Sequence, residues 1–380
     1  MIELRHFSRE TLLKPLQAVV GIVERKQTMP ILGNVLIETR DTDLIMTATD
    51  LEIEISAKVS QPVQSEPGEI TVSARKFLDL LKALPDQSVV DVTLPQDGKM
   101  QLQAGRSRYQ LQTLPGSDFP RGAQQEAPLH TLTLQQKDLR NLLVLTKFAM
   151  GQQDVRFYLN GVQLLIEDNQ LRAVATDGHR LCLASQTVTP SPQKHEVILP
   201  RKTVDELVRL LQDNDAEVKL EWLGRQIRFS FGDIIILSKI IDGKFPDYRR
   251  ALPQGLIRCA EIDRQQLIQT LQRAAILANE KFRGVRIHFQ PNLISLACTN
   301  LDQEEAQEEL EVIYEGESVE IGFNITYVLD VLQHLTSERI RFNFNDAASS
   351  ALIAPLVENA EETTEARSHE YRYVIMPMRI

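Results

Sequence analysis

The chain has 380 residues, of which 43% are hydrophobic and 25% are charged, and its formal net charge is −10 at pH 7. This length exceeds what one hydrophobic core usually serves and predicts two or three domains, while the composition excludes a disordered chain. No apolar run approaches the roughly 20 residues that cross a bilayer, and the first ten residues lack a signal-peptide pattern.

The three cysteines, Cys182, Cys259 and Cys298, form no CxxC pair and no metal-ligand spacing. They indicate a reduced, cytoplasmic location, and we expect neither a metal nor a cofactor. The acidic charge is concentrated at one end. Residues 1–125 hold 14 basic and 16 acidic residues, 126–253 hold 17 and 16, and 254–380 hold 11 and 20. Such a chain can repel DNA on average and still present a local basic surface to it.

The first predicted element is an amphipathic helix that follows a Ser8 cap. Its apolar positions have helical spacing: Leu12, Leu16, Val19, Val20 and Val23. Strands with period-two alternation follow at 44–48 and 53–55, then a second helix at 76–84 and strands at 89–94 and 100–104. The first third therefore predicts an α+β domain.

The same order of elements recurs twice more along the chain. The second copy starts with a helix pattern at Leu139, Leu142, Leu143, Thr146 and Met150, and has a second helix at 202–211 and strands at 218–222 and 226–231. The third copy starts with Leu267, Leu271, Ala274, Ala275 and Ala278, after Asp263 with Gln266 three residues on, a variant of the capping box. Its second helix is predicted at 325–335.

A short sequence block fixes the register of the three copies. Thr49-Asp50 in the first copy corresponds to Thr176-Asp177 in the second and to Thr299-Asn300 in the third. We therefore predict three repeated domains, 1–125, 126–253 and 254–380, each of two helices and about eight antiparallel strands. The stretch 124–128 and the stretch 253–255 are predicted linkers, and the acidic stretch 358–370 is predicted to be an exposed hairpin loop.

The ordered set of motifs resembles the bacterial DNA polymerase III beta subunit family, the sliding clamps. The matching blocks cover nearly the whole chain: Leu12–Leu16, Pro30–Asn34, Thr49–Glu52, Gln153–Arg156, Tyr158–Gly161, Ala175–Leu181, Phe245–Arg250, Asn279–Val285 and Met376–Ile380. The resemblance implies the DNA clamp fold, with two chains joined head to tail as a six-domain ring. It implies a non-catalytic processivity factor that encircles double-stranded DNA without sequence preference, at replication forks on the nucleoid.

The resemblance also implies the partners. They are a clamp loader, the alpha subunit of DNA polymerase III, other polymerases and mismatch-repair proteins, which bind through short motifs that contain Gln, Leu and Phe. Family members bind such motifs in one surface pocket. Carried over by position, that pocket comprises Leu159, Thr176, His179, Arg180, Leu181, Pro246, Asn324, Tyr327, Ser350, Val374, Met376, Pro377, Met378 and Arg379. Its apolar members suit peptide side chains, and methionine adapts to several partners.

Basic residues at the starts of the second helices are the candidate DNA contacts. Arg75 and Lys202 come from this pattern, and the resemblance adds Lys26, Gln153, Phe157, Tyr158, Arg209 and Arg250. An aromatic side chain beside a loop glutamine could stack on an exposed base. This chain departs from the family at Phe157, where Tyr is common, and at Lys26, where Arg is common. The third copy lacks a basic pair at the equivalent position, and the stretch 356–370 is longer than the usual family loop.

Dimer contacts are expected where the third copy meets the first copy of the partner subunit. Two apolar residues of the third copy, Ile276 and Leu277, are expected to be buried there. The acidic residues Asp302, Glu304, Glu305 and Glu308 would meet the basic residues Lys76, Arg106 and Arg108. That pairing would account for the acidity of the last third.

Two other functions are compatible with parts of the sequence. A repeat-built interaction scaffold that never binds DNA would share the domain duplication. A hydrolase could use Asp177 and His179 as an orienting group and a base. However, no GxSxG, HExxH or phosphate-binding glycine motif accompanies the pair, and Asp50 repeats the aspartate in the first copy. The aspartate therefore belongs to the repeat, which favours the sliding clamp.

Overall fold

A computed structural model describes residues 3–25, 29–61, 67–93, 98–122, 127–188, 194–356 and 369–379. The candidate DNA contact Lys26 and most of the acidic stretch 358–370 lie outside these ranges. Among the described residues, no helix combines the length and the apolar character that a bilayer crossing needs.

The chain forms six α-helices and 24 strands within the described ranges. The first repeat contains β1 (Glu3–Ser8), α1 (Arg9–Val20), β2 (Asn34–Arg40), β3 (Asp43–Thr49), β4 (Ile53–Lys58), β5 (Gly68–Ser73), α2 (Ala74–Ala83), β6 (Val89–Thr93), β7 (Lys99–Ala104) and β8 (Ser107–Pro115). The second contains β9 (His130–Gln135), α3 (Gln136–Val144), β10 (Gly161–Glu167), β11 (Gln170–Thr176), β12 (Arg180–Thr187), β13 (His195–Pro200), α4 (Arg201–Leu210), β14 (Glu217–Leu223), β15 (Gln226–Phe231) and β16 (Ile234–Lys239). The third contains β17 (Arg258–Asp263), α5 (Arg264–Ala275), β18 (Gly284–Gln290), β19 (Leu293–Thr299), β20 (Glu305–Glu311), β21 (Val319–Asn324), α6 (Ile325–His334), β22 (Arg339–Phe344), β23 (Ala351–Leu356) and β24 (His369–Ile375).

Each third therefore carries two α-helices and eight strands in the same order, and the α+β fold class is confirmed. Local signals placed the helix starts well, whereas the predicted helical positions Thr146, Met150 and Ala278 lie beyond the ends of α3 and α5. The Ser8 side chain accepts a hydrogen bond from the Thr11 N–H at the start of α1, and Asp263 accepts one from the Gln266 N–H at the start of α5. The predicted apolar stripe of α1 is buried throughout, because helical spacing places these side chains on one face.

The described chain divides into two compact units. One comprises Met1–Arg140 and Asp205–Ile240, and the other comprises Asn141–Val204 and Ile241–Ile380. In the first unit, twelve strands form one sheet in the order β1-β6-β7-β8-β5-β2-β3-β4-β16-β15-β14-β9. The first and second repeats meet in this sheet, where β4 pairs with β16 and Ile55 lies opposite Ile236.

The second unit contains two sheets. Eight strands lie in the order β13-β10-β11-β12-β24-β23-β22-β17, and four lie in the order β20-β19-β18-β21. The second and third repeats meet where β12 pairs with β24, with Cys182 opposite Tyr373. Because the repeats join through antiparallel ladders, the boundaries of the two compact units differ from those of the three repeats. The three predicted domain boundaries therefore stay a prediction.

Candidate peptide-binding and nucleic-acid surfaces

The Thr-Asp block of the sequence forms the same turn in all three repeats. The Oδ1 atom of Asp50 accepts hydrogen bonds from two following backbone N–H groups at 2.9 and 2.8 Å, and Oδ1 of Asp177 does so at 2.9 and 3.1 Å. In the third repeat Oδ1 of Asn300 accepts two such bonds at 3.0 and 2.9 Å. These bonds account for Asp177 as a turn residue.

Arg180 follows this turn and is directed into the protein. Its side chain is 9% exposed, with Nε 3.0 Å from Oδ2 of Asp177 and Nη1 2.5 Å from Oδ2 of Asp330. Nη2 donates to the Phe148 carbonyl at 2.6 Å, and the guanidinium lies 4.3 Å from the centre of the Tyr327 ring. Arg180 stays a predicted residue of the peptide pocket, but these contacts give it a structural role. Its donors are engaged internally, so it can act on a ligand only by positioning its neighbours.

Next to this turn lies a compact apolar cluster, which we name the apolar floor. Its buried members are Leu159, Leu165, Val174, Leu181, Leu183, Ile198, Phe245, Tyr248 and Val374, and partly buried residues such as Ile241, Leu252 and Leu352 pack against them. Three of the predicted pocket residues, Leu159, Leu181 and Val374, are at most 4% exposed. They can therefore shape the floor, whereas exposed neighbours such as Pro246 offer surface to a ligand.

The chain end lies beside this floor. The Met376 N–H donates to the His179 carbonyl at 3.0 Å, and the Met378 N–H donates to the Gly322 carbonyl at 2.8 Å. The Met376 side chain is 48% exposed, Arg379 is exposed, and Pro377 and Met378 are half-buried. Two backbone hydrogen bonds thus hold this segment against residues of the second and the third repeat, with apolar side chains open to a ligand.

The remaining pocket candidates surround the same region. Thr176 is buried and donates to the Arg180 carbonyl at 2.6 Å, so it supports the turn. Asn324 caps α6, where its Oδ1 accepts from the N–H groups of Thr326 and Tyr327. His179 is exposed, and Tyr327 and Ser350 are half-buried. All fourteen candidates belong to the second unit.

The loop that carries three DNA candidates is linked internally by hydrogen bonds. Asp154 accepts from Arg156 Nε at 3.0 Å and from Arg156 Nη2 at 2.8 Å, and these hydrogen bonds lower the pKa of Asp154 to about 2. Asn160 closes the loop by accepting from the Asp154 N–H and donating to the Asp154 carbonyl. Phe157 in this loop is 57% exposed, and Gln153 is also exposed.

Three of the basic DNA candidates have identifiable surroundings. Arg75 is exposed but donates from Nη2 to the Val23 carbonyl at 2.7 Å, just beyond α1. Arg209 donates to the carbonyls of Gln17 and Ala18 at the end of α1 and pairs with Glu206. Arg250 has a side chain that is 89% exposed.

Lys202, the remaining basic candidate, is half-buried. Its neighbour Arg201 donates to the Met150 carbonyl at 3.0 Å. Arg75 and Arg209 thus support the helix ends as well as contributing positive charge.

The dimer candidates lie on both units. Ile276 is 79% exposed and Leu277 half-buried, and Lys76, Arg106 and Arg108 are exposed. Glu308 pairs with Arg273 of its own unit at 2.6 Å, and hydrogen bonds from that guanidinium lower the pKa of Glu308. Its charge is therefore compensated locally. Its contact with basic residues of a partner subunit stays a prediction. Among the described residues, the carboxylates of Glu304 and Glu305 accept hydrogen bonds only from amide side chains, those of Asn300 and Gln307.

Sequence reasoning missed the internal partners of Arg180. Asp330 lies in α6, 150 residues further along the chain, and Phe148 follows α3. Many helices carry a carboxylate outside their apolar stripe, so the sequence alone gave no reason to choose Asp330 as the partner of Arg180. Within the described ranges, no group of three His, Cys, Asp or Glu side chains could hold a metal ion.

The chain is similar to known proteins over its full length. Three family models match in order: the N-terminal, central and C-terminal domains of the DNA polymerase III beta subunit, over residues 6–123, 133–247 and 249–379. The beta sliding clamp of Pseudomonas putida is 46% identical over 378 residues, covering 99% of this chain and 100% of that protein. The beta sliding clamp of Escherichia coli K12 is 44% identical over 372 residues and 98% of each chain. A crystal structure of the Pseudomonas aeruginosa sliding clamp bound to griselimycin superposes with a TM-score of 0.92 at 44% identity, over 99% of both chains.

Proposed function

The chain belongs to the family of DNA polymerase III beta subunits, the bacterial beta sliding clamps, and we propose from its described surfaces how it performs the work of a clamp. It is a non-catalytic processivity factor that encircles duplex DNA as a dimeric ring and tethers polymerases to it. The observation that carries this function is the match of all three family domains, in order, over residues 6–379. The clamp loader and the replicative polymerase are its partners, and we propose that it works in the cytoplasm, at replication forks on the nucleoid.

We infer the joint between the two subunits from the internal repeats. β4 pairs with β16 at the first joint and β12 pairs with β24 at the second, so the fourth strand of one repeat joins the last strand of the next. The corresponding pair is β20 and β8, and each has an unpaired edge within the described part of the chain. There, β20 pairs only with β19, and residues 107–112 of β8 pair only with β7. We propose that β20 pairs with β8 of the partner subunit, which closes a head-to-tail ring.

The repeats also predict the register of this joint. Ile55 opposite Ile236, and Cys182 opposite Tyr373, are fully buried pairs at the first two joints. Ala306 holds the equivalent position on β20, where the turn before the strand is one residue longer than in the other two repeats. Tyr109 holds it on β8, four residues after the hairpin glycine. Both are half-buried in the single chain, as expected for positions that a partner subunit covers.

We propose that the apolar floor and the chain end together bind partner peptides. Leu181 and Val374 are fixed by the pairing of β12 with β24, and the backbone bonds of Met376 and Met378 hold the exposed apolar side chains beside them. One fully buried apolar side chain contributes about 1.5–3 kcal/mol before ordering costs, which suits exchangeable binding. The relative bound to griselimycin gives a precedent for a ligand on a clamp.

For DNA, we propose a weak attraction without sequence preference. Positive charge comes from the exposed Arg75 and Arg250, the half-buried Lys202, and Lys26. Stacking surface comes from the loop with Gln153, Phe157 and Tyr158. Few tight phosphate contacts are required, because the link to DNA is topological and strong contacts would slow sliding.

The decisive experiment compares DNA of two topologies. After loading onto a nicked circular plasmid, the protein should co-elute with DNA on gel filtration, and cutting the circle once should release it. Retention on linear DNA would instead indicate ordinary DNA binding, and absence from both forms would favour an interaction scaffold. Release on linearisation is specific to a ring.

A further inference from the structure

The first joint contains a groove that matches the peptide pocket by position. Thr49 pairs with Glu54 as Thr176 pairs with Leu181, and Glu54 pairs with Leu237 as Leu181 pairs with Val374. Extending the same register, the apolar floor residues Leu165, Val174, Leu181, Leu183 and Val374 correspond to Glu38, Thr47, Glu54, Ser56 and Leu237. We name these five residues of the first unit the first-joint groove.

This groove is hollow and charged. A cavity of about 500 Å³ is lined by Glu38, Thr47, Glu54 and Ser56 among others, and a second of about 420 Å³ adjoins it and shares Glu54 and Leu237. The lining of the first holds five carboxylates and three cationic side chains. At the positions where the second joint has leucine and valine, the first joint has mostly carboxylates and hydroxyls. These polar groups would reject an apolar ligand.

The cations that line the two cavities and are described next are already paired with acids other than Glu54. Arg40 and Arg121 both donate to Oε1 of Glu38, at 2.8 and 3.0 Å. Lys58 lies 2.7 Å from Asp43. Arg228 donates to Glu221, which also pairs with Lys219. Each cation of the first cavity thus has a carboxylate partner other than Glu54.

Glu54 is left without a cation. It is 6% exposed, and its Oε2 accepts one hydrogen bond at 3.0 Å, from the N–H of Gly122. No described residue forms an ion pair with it. A buried carboxylate with a single neutral donor retains unused acceptor capacity, and a cationic ligand would supply the missing charge.

We propose that the first-joint groove is a second ligand site of the clamp, which binds the arginine side chain of an extended peptide segment of a partner protein. The guanidinium would bind Glu54 and reach the hydroxyls of Thr47 and Ser56, which lie 2.9 Å apart. Its planar array of donors matches a carboxylate with adjacent acceptors. The apolar stem would lie on Ile45, Ile235 and Leu237, which line the same cavity. The choice of a peptide rests on the proposed function, because it follows from equivalence with the peptide pocket.

The test follows methyl NMR signals of the intact dimer during titration with a capped pentapeptide, acetyl-Gly-Ser-Arg-Leu-Gly-amide. Saturable shifts are expected at Ile45, Ile235 and Leu237, and the counterpart with glutamine in place of arginine should cause none. Glu54→Gln should weaken binding at least tenfold. The matched control Asp233→Asn removes the same charge from an exposed carboxylate of the same cavity, and should change binding less than twofold.

The proposal would be overturned by an absence of saturable shifts at these methyls or by unchanged affinity in Glu54→Gln. Equal binding of the glutamine counterpart, or of a counterpart with lysine in place of arginine, would also overturn it. Should Glu54→Gln fail to fold, Glu54→Asp, which withdraws the carboxylate by one methylene, should still weaken binding at least threefold. A Gln-Leu-Phe peptide titrated into the same samples reports on Leu181 and Val374. Its failure to bind would contradict the peptide pocket, and its binding should be unaffected by Glu54→Gln.

Discussion

The guanidinium of Arg180 and the carboxylate of Asp330 meet at 2.5 Å and connect the second repeat to the third. The same guanidinium binds Asp177, so one buried cation compensates two carboxylates that lie 153 residues apart in sequence. The ladder of β12 with β24 begins at Arg180. This side chain therefore holds together the turn, the helix and the joint that surround the candidate peptide pocket.

Arg180→Ala should destabilise the protein by about 3–5 kcal/mol, because it leaves two carboxylates without their cation in a largely buried setting. Urea unfolding followed by circular dichroism measures the change. Arg249→Ala is the control, since its guanidinium is 58% exposed and pairs with Asp247, and such surface pairs contribute about 0–1 kcal/mol. Equal midpoints for the two variants would contradict the role of Arg180.

Replacing both Ile276 and Leu277 by alanine should give folded monomers. Each truncation of a buried apolar side chain costs about 2–5 kcal/mol, and a joint between subunits would bury both residues. Sedimentation equilibrium at micromolar concentration measures the mass. Ile257→Ala, which truncates a side chain that is 77% exposed elsewhere on the second unit, should remain dimeric. A double variant that still sediments as a dimer would place the joint elsewhere.

Reversing Arg75 and Lys202 to glutamate should weaken DNA association and loading while the dimer persists, because attraction to phosphate becomes repulsion. The slope of log Kobs against log salt should also become shallower. Arg225→Glu, an exposed charge reversal in the hairpin between β14 and β15, is the control and should leave the slope unchanged. Because Arg75 also donates to the Val23 carbonyl, the thermal stability of the double variant is measured in parallel.

Deleting residues 376–380 should abolish binding of a polymerase-tail peptide while the ring still forms and slides. The deletion removes the backbone bonds to His179 and Gly322 together with the apolar side chains of the chain end. Met378→Ala combined with Arg379→Ala keeps the backbone and should weaken binding about tenfold. Isothermal titration calorimetry decides the matter: a truncated protein that binds as tightly as the intact one would leave the chain end with a structural role only.

The loop with Gln153 and Phe157 should loosen in acid. Hydrogen bonds from Arg156 lower the pKa of Asp154 from an ordinary 3.8 to about 2. Because the folded-state pKa is depressed, the ion pair stabilises the loop fully above about pH 4, and this contribution is lost as pH falls through 2. A carbon-13 titration of the Asp154 carboxyl should give the low midpoint, and Arg156→Ala should return it towards 3.8. A midpoint near 3.8 in the unaltered protein would contradict the pairing.

The sequence by itself determined the repeat, the helices and the family. Each predicted local feature depends on residues within four positions of each other, so spacing alone predicts it. These features are the caps at Ser8 and Asp263, the buried stripe of α1, and the Thr-Asp or Thr-Asn turn of the three repeats. The motifs that carry the resemblance are also local and keep their order along the chain.

Only the tertiary structure decided what lies at the joints. The partner of Arg180 is Asp330 and the neighbour of Glu54 is Gly122, and both pairs form because ladders between repeats bring distant strands side by side. The same ladders explain why two compact units divide a chain of three repeats. The register of a ladder depends on the fit of whole strands, and no spacing within one segment encodes which distant strand will be its neighbour.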